Sequence, residues 1–287
     1  MLKNLTIDNF ASAKDFTIAV ARRDPQPKFP RHTHEFSELV IITKGSGKHI
    51  VDDYEFPISV GDVFVISGRQ EHEFCEMRQL SLVNVMFDPE NPALTNLDTS
   101  DLPGFRSLCI LEPKNRKNHR FESRLQLSGD DLKKAERLVD ELERELQNAK
   151  PGFKAIATAL LIELLIHLSR CYSRSENPEA LSLLRIADAI NYLEKHYKEQ
   201  IDFHKLAQSA GMSIRSFQRA FSRATGVSAR HYLMMTRLER AAELLKYTAS
   251  SVSEAAYQTG FADSNYFSRV FKKYIGIAPK HLRSIRK

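Results

Sequence analysis

Two hydrophobic periods divide the chain. From Phe16 to about Phe87, β-branched and aromatic residues gather in short runs, Phe16–Val20, Ser37–Ile42, His49–Val51, Val63–Ile66 and Leu80–Phe87. Gly45-Ser46-Gly47, Asp52-Asp53 and Val60-Gly61-Asp62 stand between them as turn signals,. Many short strands at this spacing predict a sandwich or small barrel, whose mouth is a usual place for a small ligand. Asn91–Phe121 is rich in Pro, Asn and charge with weak periodicity, and reads as a loop,.

From Ser128 the period lengthens. Leu132, Ala135, Val139, Leu142 and Leu146 step by three and four beside charged faces, which predicts a helix capped by Ser128 or Asp130,. After the break at Pro151-Gly152, Ile156–Leu168 gives a second, more apolar helix. This pair either supplies a dimer interface or covers the barrel and itself. Ser173–Asn177 and Pro178 are polar and break the helical pattern, so an interdomain linker is expected over residues 173–181,. Beyond them Leu183–Tyr197 is amphipathic, with Ile186, Ile190, Leu193 and Tyr197 on one side.

The last hundred residues carry an internal repeat. Leu206-Ala207 and Gly211 align with Ala255-Ala256 and Gly260 at an offset of 49, whereas Phe217, Arg219, Phe221 and Gly226 align with Phe267, Arg269, Phe271 and Gly276 at an offset of 50. Each copy is two short helical patterns about a tight turn, a helix-turn-helix, and the second turn is one residue longer. In the last helix Phe267, Val270, Phe271 and Tyr274 are expected to face the core, leaving Asn265, Ser268, Arg269 and Lys272 outward,. Ser213 is the expected cap of the first recognition helix, and Asp263 or Ser264 of the second. Arg230–Tyr247, strongly helical by residue type, separates the copies,.

Charge sharpens this division. From Ser182 onward there are 18 Lys/Arg against 8 Asp/Glu, and residues 1–181 hold 24 against 28. The basic half is the half with the repeat, as expected for a nucleic-acid-binding domain joined to one with a different task. Arg215, Gln218 and Arg219, with Asn265, Ser268 and Arg269, are the candidate readers of base edges. Arg matches guanine O6 and N7, and Gln matches adenine N6 and N7. Lys272, Lys273 and Arg223 suit phosphates,. Either Arg219 or Arg269 could equally hold a phosphate or an intradomain carboxylate. With 42% hydrophobic and 27% charged residues the chain reads as globular,. No apolar run approaches the roughly 18 residues of a membrane span, the richest, Ala155–Leu168, being broken by Glu163 and His167, and the N-terminus lacks a secretion-signal core, so a cytoplasmic location without membrane partners is expected. Cys75, Cys109 and Cys171 are too few and too scattered for a disulfide framework or a zinc knuckle,.

Within the strand region lie His32, His34, Glu38 and His72. Brought to one wall, three imidazoles and a carboxylate could hold Zn, Fe, Mn or Ni. The same groups could instead line a sugar pocket without metal, or be satisfied residues near a strand end.

The order His32-x-His34-x3-Glu38-x6-Gly45 resembles the first cupin motif, and Gly61-x10-His72 resembles the second. Ser67, Arg69 and Glu76 depart from the usual Pro, Gly and Asn, which weakens the metal claim more than the fold claim. The stretch GFADSNYFSRVFKKYIGIAP, Gly260–Pro279, resembles the second helix-turn-helix signature of the AraC-type transcription regulators, and the similarity covers roughly residues 183–285. Ala229 departs where the first unit often carries Pro. FPRHTHEFSELVIITKGSGKHIV, Phe29–Val51, resembles the L-rhamnose-responsive members of that family.

The resemblance implies a multidomain α and β protein. Residues 1–172 are then a cupin-like β-barrel with two following helices, for effector sensing and dimerisation. Residues 173–181 are the linker, and 182–287 form an all-α DNA-binding domain with two helix-turn-helix motifs. It implies a non-enzymatic activator of transcription, a homodimer whose partners are promoter DNA, RNA polymerase and a small-molecule effector, a sugar such as L-rhamnose, held by His32, His34, Glu38 and His72. The only cofactor in view is a divalent transition metal in the barrel. Two alternatives stand beside it, a metal-dependent cupin enzyme fused to a DNA-binding domain and an effector-independent DNA-binding protein.

Overall fold

The computed structural model describes residues 3–10, 16–88, 91, 94, 98–114 and 125–284. It divides into two compact units between Ala187 and Asp188.

The first unit is built on one mixed sheet of eight strands. They are β1 (Lys3–Leu5), β2 (Ile18–Arg23), β3 (His32–His34), β4 (Ser37–Val51), β5 (Tyr54–Ser59), β6 (Asp62–Ile66), β7 (His72–Phe87) and β8 (Leu125–Gln126). The path runs β1-β3-β7-β4-β6-β8, with β2 added on β7 and β5 on β4. Among the described residues this cupin-like sheet does not close into a full barrel.

Two expected boundaries shift. Ser37–Ile42 and His49–Val51 belong to the single strand β4, and Leu80–Phe87 is only the second half of β7. Gly45-Ser46-Gly47 is therefore not a turn but a bulge, where the β4/β7 register slips between Ile42 and Lys48,. Gly45 sits at φ +69°, and a Cβ there would collide with the carbonyl oxygens of Arg78 and Gln79, so only glycine lets the bulged strands approach.

Alternation along the strands sorts side chains to two faces. Val40, Ile42, Phe64, Ile66 and Leu82 form one buried cluster. Leu39, Ile41, Val63, Val65, Val83 and Val85 form the other, together with two helices,. These are α1 (Gly129–Asn148) and α2 (Phe153–Tyr172). Ala135, Val139, Leu142 and Leu146 are buried as their spacing predicts, joined by Leu138. Each such leucine contributes about 1.5–3 kcal/mol on burial. Ser128 occupies the N-cap position of α1, but its side chain makes no capping hydrogen bond; Asp130 and Asp131 instead place negative charge in the first turn,.

Helix α2 corrects the expectation about apolar length, since its 20 residues with mean hydropathy 1.5 in the best window would suffice to cross a bilayer. Half of that window is buried inside the protein, with Leu161, Leu164, Leu165 and Leu168 in the core.

The loop expected over Asn91–Phe121 is corrected at Pro103–Leu111, which is helical, passing from α to wider π turns. Phe105, Leu108 and Leu111 anchor it in the core. Parts of that loop lie outside the described residues.

Only residues 173–177 lie between α2 and α3 (Pro178–Lys195). Pro178 is suited to a first helical position, so α3 begins within the expected linker. Ala180 and Leu184 join the core of the first unit, and the division between units falls later in the same helix.

The second unit continues with α4 (Phe203–Ser209), α5 (Ile214–Thr225), α6 (Ala229–Tyr247), α7 (Val252–Gln258), α8 (Ser264–Ile275) and α9 (Pro279–Ser284). Leu206, Ala207, Ala255 and Ala256, the matched pairs of the repeat, are all buried. Four residues separate α4 from α5 and five separate α7 from α8, which is the extra residue shown by the shift in offset. Phe217 and Phe221, then Phe267 and Phe271, fill equivalent core positions. Ala229 opens α6, where Pro is favoured but a good helix former also fits, with Ser228 capping,.

Candidate functional site

The pocket in the first unit follows from strand periodicity. In β3, His32 and His34 are two residues apart and both buried, so both imidazoles leave the same face,. Pairing His32 with His72 across β3 and β7 brings in the third imidazole, and Glu38 enters from the start of β4. All four line one cavity of about 480 Å³.

The carboxylate is held between two rings. Glu38 Oε2 is 3.4 Å from His34 Nε2 and 3.4 Å from His72 Nε2. His34 Nδ1 lies 2.6 Å from the Phe36 carbonyl and His72 Nδ1 lies 3.1 Å from that of Gln70. These contacts fix the orientation of each ring and direct both Nε2 atoms toward Glu38,. Burial alone would push the Glu38 carboxyl up, but His34 and His72 outweigh it and hold the group below the usual carboxylate range. Burial, with His72 nearby, lowers the His32 imidazole to about 4, so it is neutral at pH 7,.

The cavity wall carries unpaired polar atoms. Among the described residues, His34 Nε2, Glu38 Oε2, His72 Nε2, Asn84 Oδ1 and Gln26 Oε1 are buried without a hydrogen-bond partner, and all five residues line the cavity. Buried polar atoms left so are costly, so the wall is suited to a polar guest. Phe10, Phe29, Phe36 and Phe74 supply apolar surface around it. Asn84 and Gln26 were missed in the sequence, because a lone amide in an apolar strand or a loop belongs to no spacing motif.

The donor set also fits a divalent transition metal in part. His34, Glu38 and His72 offer ligand atoms within 4.8 Å of one another, with both rings oriented by carbonyls,. His32, expected as a fourth ligand, lies outside that cluster, although its ring is 4.2 Å from that of His72.

In the second unit, caps and glycines shape both recognition helices. Ser213 Oγ accepts from the Ser216 backbone N–H at 3.2 Å. In the second copy it is Asp263, not Ser264, that caps, accepting from Asn265 and Tyr266 N–H groups at 2.7 and 3.2 Å,. Gly226 and Gly276 end α5 and α8 in the left-handed conformation,. With the phenylalanines inward, Arg215, Gln218, Arg219, Asn265 and Arg269 are exposed, and Ser268 is half-buried. Arg223, Lys272 and Lys273 are exposed as well.

Tyr274 departs from the core position expected of it. It is 38% exposed at the end of α8, with its ring against His231 at 5.3 Å. Tyr266, not singled out by the sequence, is 47% exposed beside Asn265. Its apolar ring reads as core in a sequence, and only the helix phase set by Phe267 turns it outward.

Comparison with known proteins finds a match for each half of the chain. Residues 17–165 match a family described as an AraC-like ligand binding domain, and residues 206–285 match one described as a helix-turn-helix domain. The HTH-type transcriptional activator RhaR of Enterobacter sp. (strain 638) is 32% identical over 278 residues, 96% of this chain and 94% of that protein. The RhaR of Pectobacterium carotovorum subsp. carotovorum (strain PC1) is 30% identical, covering 98% and 95%. Among solved structures, the C-terminal domain of AraT, a response regulator from Geobacillus stearothermophilus, is 31% identical over 36% of this chain and 85% of that one, with a TM-score of 0.34.

Proposed function

The chain belongs to the AraC family of DNA-binding transcription regulators with a ligand-binding domain, and from that premise we propose that it is a sugar-responsive activator whose effector is L-rhamnose or a close relative. The observation that carries this is the cavity itself, with five unpartnered polar atoms set among four phenylalanines. A sugar presents hydroxyls to the first and C–H faces to the second. The RhaR relatives are named as transcriptional activators, which supports activation as the output.

Residues 1–172 serve effector sensing and dimerisation, and residues 182–287 serve DNA binding. Arg215, Gln218 and Arg219 read bases in one major groove, and Asn265, Ser268 and Arg269 in the next, while Arg223, Lys272 and Lys273 hold phosphates. The 19 residues of α6, at 1.5 Å each, span about 28 Å, close to the ~34 Å of one DNA turn. A homodimer forms through α1 and α2, whose exposed Ile156 and Ala155 give an apolar patch. The DNA-bound form recruits RNA polymerase. Effector binding shifts the population toward the activating state, by as much as its affinity differs between the two states.

The test is isothermal titration of the full chain with a panel of sugars that includes L-rhamnose. Saturable binding by one sugar, abolished by Glu38→Ala, supports the reading, and no binding across the panel overturns it. The His34, Glu38 and His72 cluster supports a second reading, in which a divalent metal sits on the pocket wall and polarises a sugar hydroxyl. Metal analysis of purified protein and of His34→Ala decides between a metal-bearing and a metal-free pocket.

A further inference from the structure

A second group of potential ligand side chains lies away from the sugar pocket, where the N-terminal turn of α1 meets the C-terminal turn of α2. His167 and Cys171 are four residues apart on one face of α2 and both are buried,. Asp131, in the first turn of α1, completes the group, and the three ligand atoms lie within 4.8 Å of one another. His167 Nε2 is 2.9 Å from the Asp131 backbone carbonyl, which assigns the ring proton to Nε2 and leaves the Nδ1 lone pair free,. Nδ1 is 3.9 Å and Nε2 3.8 Å from Cys171 Sγ. In a tetrahedral zinc site, bonds of 2.3 Å to sulfur and 2.0–2.1 Å to nitrogen place the two ligand atoms about 3.6 Å apart. The pair is thus within a few tenths of an ångström of ligating distance before any ion binds.

Arg174 completes the arrangement. Its Nη2 donates to Asp131 Oδ2 at 2.8 Å and to Cys171 Sγ at 3.2 Å. The contact with Oδ2 orients the carboxylate and leaves Oδ1 for an ion, as outer groups do around metal sites. The Arg174 side chain is 64% exposed and has room to move outward.

We propose that Asp131, His167 and Cys171 form a site for a zinc-type divalent cation, which ties the start of α1 to the end of α2. Thiolate, imidazole and carboxylate are the donors that such an ion takes, with solvent as the fourth ligand on the open Asp131 side. On binding, the S–H bond breaks, its proton passes to solvent, and the thiolate pair forms the bond to the ion. The site is independent of the sugar pocket and of its metal reading, because neither offers a sulfur ligand.

That sulfur provides the test. Cobalt(II) is titrated into the metal-free full chain and the thiolate-to-cobalt charge-transfer band is followed. One equivalent is expected to produce the band, and zinc, which binds such sites more tightly, to bleach it. Cys171→Ser and His167→Gln are expected to abolish or markedly weaken it, while Cys75→Ser and His34→Ala leave it intact. Circular dichroism of each metal-free variant establishes that it is folded. Absence of the band in the unaltered chain overturns the proposal, as does a band that survives in folded Cys171→Ser.

Discussion

In the proposed effector pocket, Glu38 and its neighbours are the buried atoms on which ligand choice is expected to rest. A buried carboxylate between two imidazoles offers a sugar hydroxyl a charged acceptor, and hydrogen bonds to charged groups contribute about 1.5–3 kcal/mol. Glu38→Gln retains the shape and removes the charge, so effector affinity is expected to fall roughly 10- to 100-fold in calorimetry. On the DNA side, Arg219→Ala or Arg269→Ala is expected to lose about 1–3 kcal/mol and to relax base preference at one position. Lys272→Ala should weaken all sequences alike and lower the salt slope by about one. A binding assay over single-base operator variants and several salt concentrations separates the two patterns. The four pocket residues were legible because His32 and His34 alternate along one strand and Glu38 and His72 follow at motif spacing. Asn84, Gln26 and the Asp131 partner of His167 and Cys171 were not, since each is brought in by tertiary pairing across dozens of residues.

Elements keep these residues in place through a few backbone positions. Gly260 has φ +87°, and a Cβ there would lie 2.7 Å from the Lys198 carbonyl oxygen; Gly276 has φ +88° but nothing within 4 Å. Gly276→Ala should therefore lose only the conformational term, about 1–2 kcal/mol. Gly260→Ala should lose more, because the turn between α7 and α8 must also shift. Urea unfolding of the two variants checks the order, and equal losses would count against the close approach. The helical period, the caps and the repeat were all readable, since local chemistry determines them. The lengths of β4 and β7 were not, because Gly45 and Gly47 look like a turn until the partner strand shows a bulge. Pro103–Leu111 was hidden similarly, its wider turns lacking a 3.6-residue signal.

At the scale of the whole molecule, the charge asymmetry between the two parts of the chain already separated a basic reader from a differently employed partner. The placement of a helix start at Pro178 could not be read there, because Ser173–Asn177 alone has enough polar residues to look like the beginning of a longer linker. If the two helix-turn-helix units read separate grooves, their contributions should add. The Arg219→Ala/Arg269→Ala double variant is then expected to lose the sum of the single losses within about 0.5 kcal/mol. A double variant no weaker than either single one would mean that only one unit engages DNA. The most direct measurement of effector control is fluorescence anisotropy, in which the full chain is titrated onto a duplex that it has itself selected from a random pool, with and without saturating L-rhamnose. The expected result is an affinity that changes at least fivefold with the sugar in the unaltered chain and is insensitive to it in Glu38→Ala. Identical curves with and without the sugar, under conditions where calorimetry shows it bound, would contradict control of DNA binding by the sensor.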